Sequence, residues 1–157
     1  MNYIIRELNH EEYEVLNDFL YEAIFQREGE ELLPRYIIND PALKIYIDGF
    51  GKKDDHALCA ESDGKIVGVV WTRIIGGYGS IDKTTLELAV SIYKEYRGYG
   101  IGTELMKKML LLLKEKGYEK VSLAVQKDNY AYKMYKKIGF EIVDENDQEY
   151  IMKYNLN

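Results

Sequence analysis

Apolar residues alternate with polar ones in several short runs of this chain and recur at helical spacing in others, and the two periods separate its elements. Tyr3 to Leu8 reads as a strand. After it, Tyr13, Leu16, Leu20, Ala23 and Ile24 keep helical spacing, with Asn9 as N-cap and Glu11 and Glu12 set against the positive end of the helix dipole. Pro34 and Pro41, the only prolines, punctuate a broken helical stretch, LPRYIINDPALKIYIDGF. Such an irregular pair either walls a pocket or simply covers the core. His56 to Glu61 and Lys65 to Ile75 flank Asp63-Gly64, a strong signal for a tight hairpin turn. From Thr84 to Tyr93, Leu86, Leu88, Val90 and Ile92 alternate with Glu87, Ala89, Ser91 and Tyr93, which predicts a strand with two distinct faces.

That strand runs into the stretch that organises the rest, Arg97-Gly98-Tyr99-Gly100-Ile101-Gly102. Beyond it, Ile101, Leu105, Met109 and Leu112 form one helical stripe, and Gly117 is a fitting stop. The first N–H groups of a helix lack internal partners and carry the positive end of its dipole, and glycines let a bulky anion approach them. The spacing excludes two common phosphate loops: GxxxxGK[ST] is absent, and Thr103 stands where the dinucleotide fingerprint needs a third glycine. What remains is RxxGxG, suited to a pyrophosphate. Lys120 to Gln126 follows as a strand, parallel to its predecessor because a helix intervenes. Asp128 or Asn129 then caps a short helix through Lys137, ended by Gly139. Phe140 to Val143 and Glu149 to Tyr154 close the chain as an antiparallel pair around the polar turn DENDQE.

Composition narrows the function classes. At 157 residues and 46% hydrophobic content the chain makes one domain, residues 1–157, with a full core and no need of metal or disulfide. A net charge of -6 argues against general nucleic-acid binding. No apolar run is long enough to cross a bilayer, Cys59 stands alone, and no secretory signal precedes Tyr3, so a reducing, cytoplasmic setting is expected. His10 and His56 have no metal-like neighbours, so no metal is expected. Cys59, in an apolar strand, reads as core. Trp71, Tyr78 and Tyr36 either line an acceptor pocket or pack.

The strand bearing Glu87, the Arg97 to Gly102 loop, and Asn129, Ala131, Tyr135, Gly139 and Phe140 in the following strand and helix together resemble the Gcn5-related N-acetyltransferase superfamily. They span roughly the last half of the chain in the family's order. The resemblance implies an α/β fold: a strongly bent, mostly antiparallel sheet of about seven strands with a central parallel pair and helices on both faces. It also implies acetyl transfer from acetyl-CoA to an amine in a ternary complex. Backbone amides of Arg97, Gly98, Tyr99, Gly100, Ile101, Gly102 and Thr103 would hold the CoA pyrophosphate. A bulge would splay the preceding strand, leaving Ser91, Ile92 and Tyr93 to pair with pantetheine. Asn129 would contact CoA, although the commonest family spacing puts that asparagine at Asp128.

The chemistry constrains the remaining roles. An alkylamine with a pKa of about 10 must lose a proton before it attacks a thioester. Glu87, the one acid in a neutral strand segment, is the candidate base, acting through water if it lies too far away, and a strand glutamate paired with a cation is the other reading. Tyr135 is the candidate acid for the leaving thiolate, and the amides around Ile92 are candidates for the oxyanion. The expected acceptor is a primary amine of a small molecule or peptide, with a homodimer possible. A non-catalytic acyl-CoA-binding sensor with the same fold is the alternative.

Overall fold

The computed structural model describes residues 1–157. Its strands are β1 (Ile4–Glu7), β2 (His56–Ser62), β3 (Lys65–Arg73), β4 (Leu86–Ile92), β5 (Lys120–Gln126), β6 (Glu141–Glu145) and β7 (Glu149–Asn155). They form one sheet in the order β1-β2-β3-β4-β5-β7-β6. Only β4 and β5 run parallel, and the helix α3 (Ile101–Glu115) supplies the crossover that a parallel pair needs. The β2–β3 hairpin turns at Asp63 and Gly64, with φ of 50° and 77°, as its sequence predicts.

Alternation along the strands builds a core on each face. Leu58, Val67, Val70, Leu86, Leu88, Val121 and Leu123 pack under α3 and α4 (Ala131–Ile138). The opposite face sends Ala57, Cys59, Val69 and Trp71 against α1 (Leu16–Ala23), so Cys59 is core as expected. Trp71 is also core, its indole N–H donating to the Tyr46 carbonyl at 2.9 Å. The helix expected after Asn9 is divided. His10–Val15 is a 3-10 helix with no buried residue, and the α-helix starts at Leu16, where burial begins. The early turn is held by Glu12, whose carboxylate accepts from the Asn9 N–H at 2.8 Å and from Arg6 at 2.9 Å. The proline-punctuated stretch resolves into a 3-10 helix, Arg35–Asn39, and the short helix α2 (Pro41–Lys44), capped by Asp40 accepting from the Ala42 N–H at 2.9 Å. Strand β4 begins at Leu86 instead of Thr84 because the Asp82 carboxylate takes the N–H groups of Thr84 and Thr85 into a turn, at 2.9 and 2.8 Å. No helix is long and apolar enough to cross a membrane.

One irregularity positions the site. Strands β4 and β5 pair only at Leu86 with Val121 and Glu87 with Ser122, and then part. Their separation opens a wedge between the two central strands, and from Leu88 onward the β4 edge facing β5 has no strand partner. The register of β4 with β3 runs unbroken from Gly68 opposite Ile92 to Arg73 opposite Glu87, so the parting involves no register shift against β3, contrary to the bulge expected there.

Candidate active site

The glycine loop lies at the open end of this wedge. Gly98 and Gly100 adopt φ of 87° and 83°, a left-handed backbone that suits glycine, and nothing stands within 4 Å of where their Cβ atoms would be. Gly102 is constrained differently: a Cβ there would sit 3.2 Å from Ile92 Cδ1, so its absence lets the first turn of α3 close onto the end of β4. No backbone N–H from Gly98 through Thr103 donates within the protein; the first to do so is Glu104, to the Gly100 carbonyl at 3.1 Å. The loop therefore presents a run of free donors at a positive helix terminus, an arrangement that binds anions. Arg97 straps the loop down, donating from Nε to the Ile92 carbonyl at 2.9 Å while its guanidinium lies 3.6 Å from Glu22. The Ile101 side chain is buried, so it offers a ligand only its backbone.

Within the wedge is a cavity of about 130 Å³ lined by Leu88, Ala89 and Val90 of β4, Leu123 and Ala124 of β5, and Tyr135 of α4, among others. Tyr135 is 8% exposed and packs toward Phe140, with ring centroids 6.1 Å apart. Burial alone pushes its hydroxyl up to about 12, so it stays a proton donor across the physiological range. A larger hollow of about 370 Å³ surrounds Arg73 at the far end of β3. Arg73 there is consumed by Asp55, at 3.0 and 3.1 Å, and by the carbonyls of Ile45 and Asp48, which leaves it a structural clasp.

Glu87 faces away from α3 and is 2% exposed. It is not paired with a cation. Its carboxylate accepts from the N–H of Gly77 at 2.8 Å, the N–H of Gly79 at 3.1 Å and the Tyr46 hydroxyl at 2.9 Å. Burial raises its pKa, and these three donors oppose the rise without cancelling it. The cavity wall includes Tyr46 and Tyr78 but not Glu87. Tyr46 is therefore the residue that joins the cavity wall to the carboxylate, and its hydroxyl also accepts from the Tyr78 N–H at 2.9 Å. The 77–79 segment is clasped tightly to the sheet, because a Cβ on Gly79 would meet the backbone of Leu123 and Ala124 at 2.7 Å. Gly79→Ala is expected to cost about 2–3 kcal/mol, checked by thermal unfolding, because backbone cannot yield as a flexible side chain would.

Other anticipated residues are distributed around the same end of the sheet. Ser91 is buried and donates its hydroxyl to the Phe19 carbonyl at 2.6 Å, and Tyr93 packs on Phe19 with ring centroids 4.7 Å apart. Their side chains serve packing, and the Tyr93 N–H is taken by the Val67 carbonyl of β3 at 3.0 Å, so it is Ile92, between them, that turns its backbone toward the open edge. Tyr99 is exposed beside the loop. Asn129 caps α4, accepting from the Ala131 N–H at 2.9 Å, whereas Asp128 pairs with Arg27 at 2.6 Å. Tyr78 lines the cavity, and Tyr36 is 72% exposed outside it. Tyr46 had no sequence signal, since it sits in an irregular segment and acquires its position only from contact with a strand far along the chain. Glu149, also on the cavity wall, was read only as the first residue of the last strand, beside a polar turn.

The profile of the Acetyltransferase (GNAT) family matches residues 5–140, from β1 to the start of β6. The chain belongs to this family. Among GNAT relatives, a [ribosomal protein bS18]-alanine N-acetyltransferase of Haemophilus influenzae is 41% identical over 64 residues, covering 41% of this chain and 43% of that protein. An N-alpha-acetyltransferase of Sulfurisphaera tokodaii is 34% identical over 92 residues, covering 54% of this chain and 55% of its own. The chain thus spans about half the length of these curated relatives. The fold of the PaiA N-acetyltransferase from Thermoplasma acidophilum, solved in complex with coenzyme A, superposes with a TM-score of 0.69 at 23% identity, over 99% of both chains. The seven-stranded GNAT architecture, with its central parallel pair, is therefore the architecture of this chain.

Proposed function

We propose that this GNAT chain is an N-acetyltransferase that moves the acetyl group of acetyl-CoA onto a primary amine of a small molecule or peptide, by direct attack in a ternary complex. The observation that carries the reading is the run of unpartnered N–H groups from Gly98 to Thr103 at the mouth of the β4–β5 wedge, with Tyr135 on the wall inside. The bound coenzyme of the Thermoplasma relative supports the cofactor, and the amine-acetylating activities named for the two curated relatives support the acceptor class.

In this reading the amides of Gly98 to Thr103 hold the pyrophosphate, while the Arg97 N–H, expected to join them, is taken by the Lys94 carbonyl at 3.3 Å. The free β4 edge pairs with the pantetheine arm through Ile92, while Ser91 and Tyr93 flank it with their backbone turned to β3, and Asn129 contacts the coenzyme from the start of α4. Acetyl-CoA supplies the thioester. The amine loses its proton to the Tyr46 hydroxyl as that hydroxyl passes its own to Glu87, so Tyr46 is neutral before and after. The freed lone pair attacks the thioester carbonyl, amides near Ile92 stabilise the oxyanion, Tyr135 donates a proton to the departing sulfur, and the nitrogen, cationic after attack, returns a proton to the Tyr135 oxygen as the amide forms. The full occupancy of the Glu87 carboxylate favours a second reading, a non-catalytic acyl-CoA sensor built on the same wedge. Turnover separates the two.

Thermal unfolding with acetyl-CoA, CoA, ATP and NAD tests the cofactor. A ligand at 100 times its dissociation constant adds about 2.7 kcal/mol. Stabilisation by the CoA ligands alone is the expected result. Stabilisation by ATP or NAD without CoA would overturn both readings.

A further inference from the structure

The cavity between β4 and β5 is apolar except for a few tyrosine hydroxyls and one charged group, Glu149. Glu149 opens β7 and lies in register with Gln126, the last residue of β5, so it stands on the β5–β7 wall where the wedge is widest. Tyr46 lines the same cavity from the β4 side, through its bond to Glu87. Two cations at this end of the sheet are already paired with other carboxylates. Lys127 pairs with Glu145 at 2.5 Å, and Arg27 holds Asp128 at 2.6 and 3.0 Å. No cation reaches Glu149, whose polar company is the side chain of Asn146. Burial raises its pKa accordingly.

A half-buried carboxylate facing an apolar cavity without a cation is unfavourable in the ligand-free protein. A cationic guest would remove the penalty, and a neutral guest of the same shape would not. We propose that Glu149 selects the acceptor by charge, its carboxylate pairing with the acceptor's ammonium ion as it enters the wedge. The proposal rests on the acetyl-transfer reading only for calling that cation the acceptor. The attacking nitrogen becomes cationic again as it bonds to the carbonyl, so the pair stabilises the ground and transition states alike. Glu149 therefore acts on KM, while the proton leaves by way of Tyr46 and Glu87. The substrate class is a primary amine that arrives cationic, attached to an apolar stem that fits the wedge.

The test titrates the protein, saturated with CoA, with butylammonium and with butan-1-ol, followed by NMR of the labelled methyl groups of Ala89 and Ala124, which line the cavity in both the unaltered protein and the variant. Butylammonium is expected to bind about tenfold tighter than the alcohol or more, and Glu149→Gln, which preserves the shape, should abolish the preference while keeping CoA stabilisation. Equal binding of the two probes, no binding of the ammonium, or a preference that survives in Glu149→Gln would overturn the proposal. In turnover with an alanine-first peptide, the same variant should raise KM about tenfold and leave kcat within about twofold. A fall in kcat at unchanged KM would make Glu149 the proton acceptor and overturn it too. Absence of thiol release from the unaltered protein would count against the transferase reading, while the binding comparison would still decide the role of Glu149.

Discussion

Tyr135→Phe is expected to slow thiol release from acetyl-CoA by about 100-fold or more, because proton transfer to a leaving group is worth roughly 10²–10⁴ in rate. Phenylalanine keeps the ring against Phe140 and removes only the hydroxyl, which makes no hydrogen bond within the protein. Fold and CoA affinity should therefore persist, and the loss should fall on kcat. The protonated hydroxyl is the active form, and burial holds it protonated up to about pH 12, so this group adds no alkaline decline near neutrality. Steady-state kinetics with a thiol-reactive dye, beside CoA titration of the variant, check both halves of the expectation. Full activity in Tyr135→Phe would remove the tyrosine from the chemistry.

Glu87→Gln should have an effect of similar size, about 100-fold in kcat, with a second consequence that Tyr135→Phe lacks. The Glu87 carboxylate accepts from two backbone N–H groups and a hydroxyl, and an amide would turn its own donor toward at least one of them. That mismatch is expected to cost about 1–3 kcal/mol of stability. The pH dependence separates the two roles. Burial raises the folded-state pKa of Glu87 above its unfolded value, so its contribution to stability is greatest when it is protonated at low pH and falls as pH rises through the raised value. Activity moves the other way, because only the ionised carboxylate can take a proton. The acid limb of the kcat profile should therefore shift above the ordinary glutamate range and vanish in Glu87→Gln. Glu149 is also raised by burial and contributes to stability in the same direction, so the kinetic limb, more than the unfolding curve, identifies Glu87.

Much of the architecture was legible because the second half of the chain is periodic. Lys120–Gln126 was bounded to the residue, and the helix found at Ile101–Glu115 was marked by its apolar stripe and the Gly117 stop. The glycine loop was legible because its residues are contiguous. The first half was less so. The segment after Asn9 carries helical spacing, yet its first turns bury nothing and tighten into a 3-10 helix, which periodicity alone does not distinguish. Glu87 could be picked out as a lone acid on a neutral strand, but its clasp on Gly77, Gly79 and Tyr46 is tertiary. Tyr46 and Glu149 have no local pattern at all, since each becomes part of the cavity only when strands β4 and β5 part. The apparent Asn129 signal has a structural share, because that side chain caps α4.

The most direct test of acetyl transfer is amine-dependent thiol release. Purified protein, acetyl-CoA and a panel of primary amines and alanine-first peptides would be followed for free CoA, with mass spectrometry of the acceptor. The account predicts thiol release that requires both protein and amine, with one acetyl group appearing on the amine for each thiol freed. Stabilisation by acetyl-CoA without any transfer across the panel would contradict it and leave the sensor reading in its place.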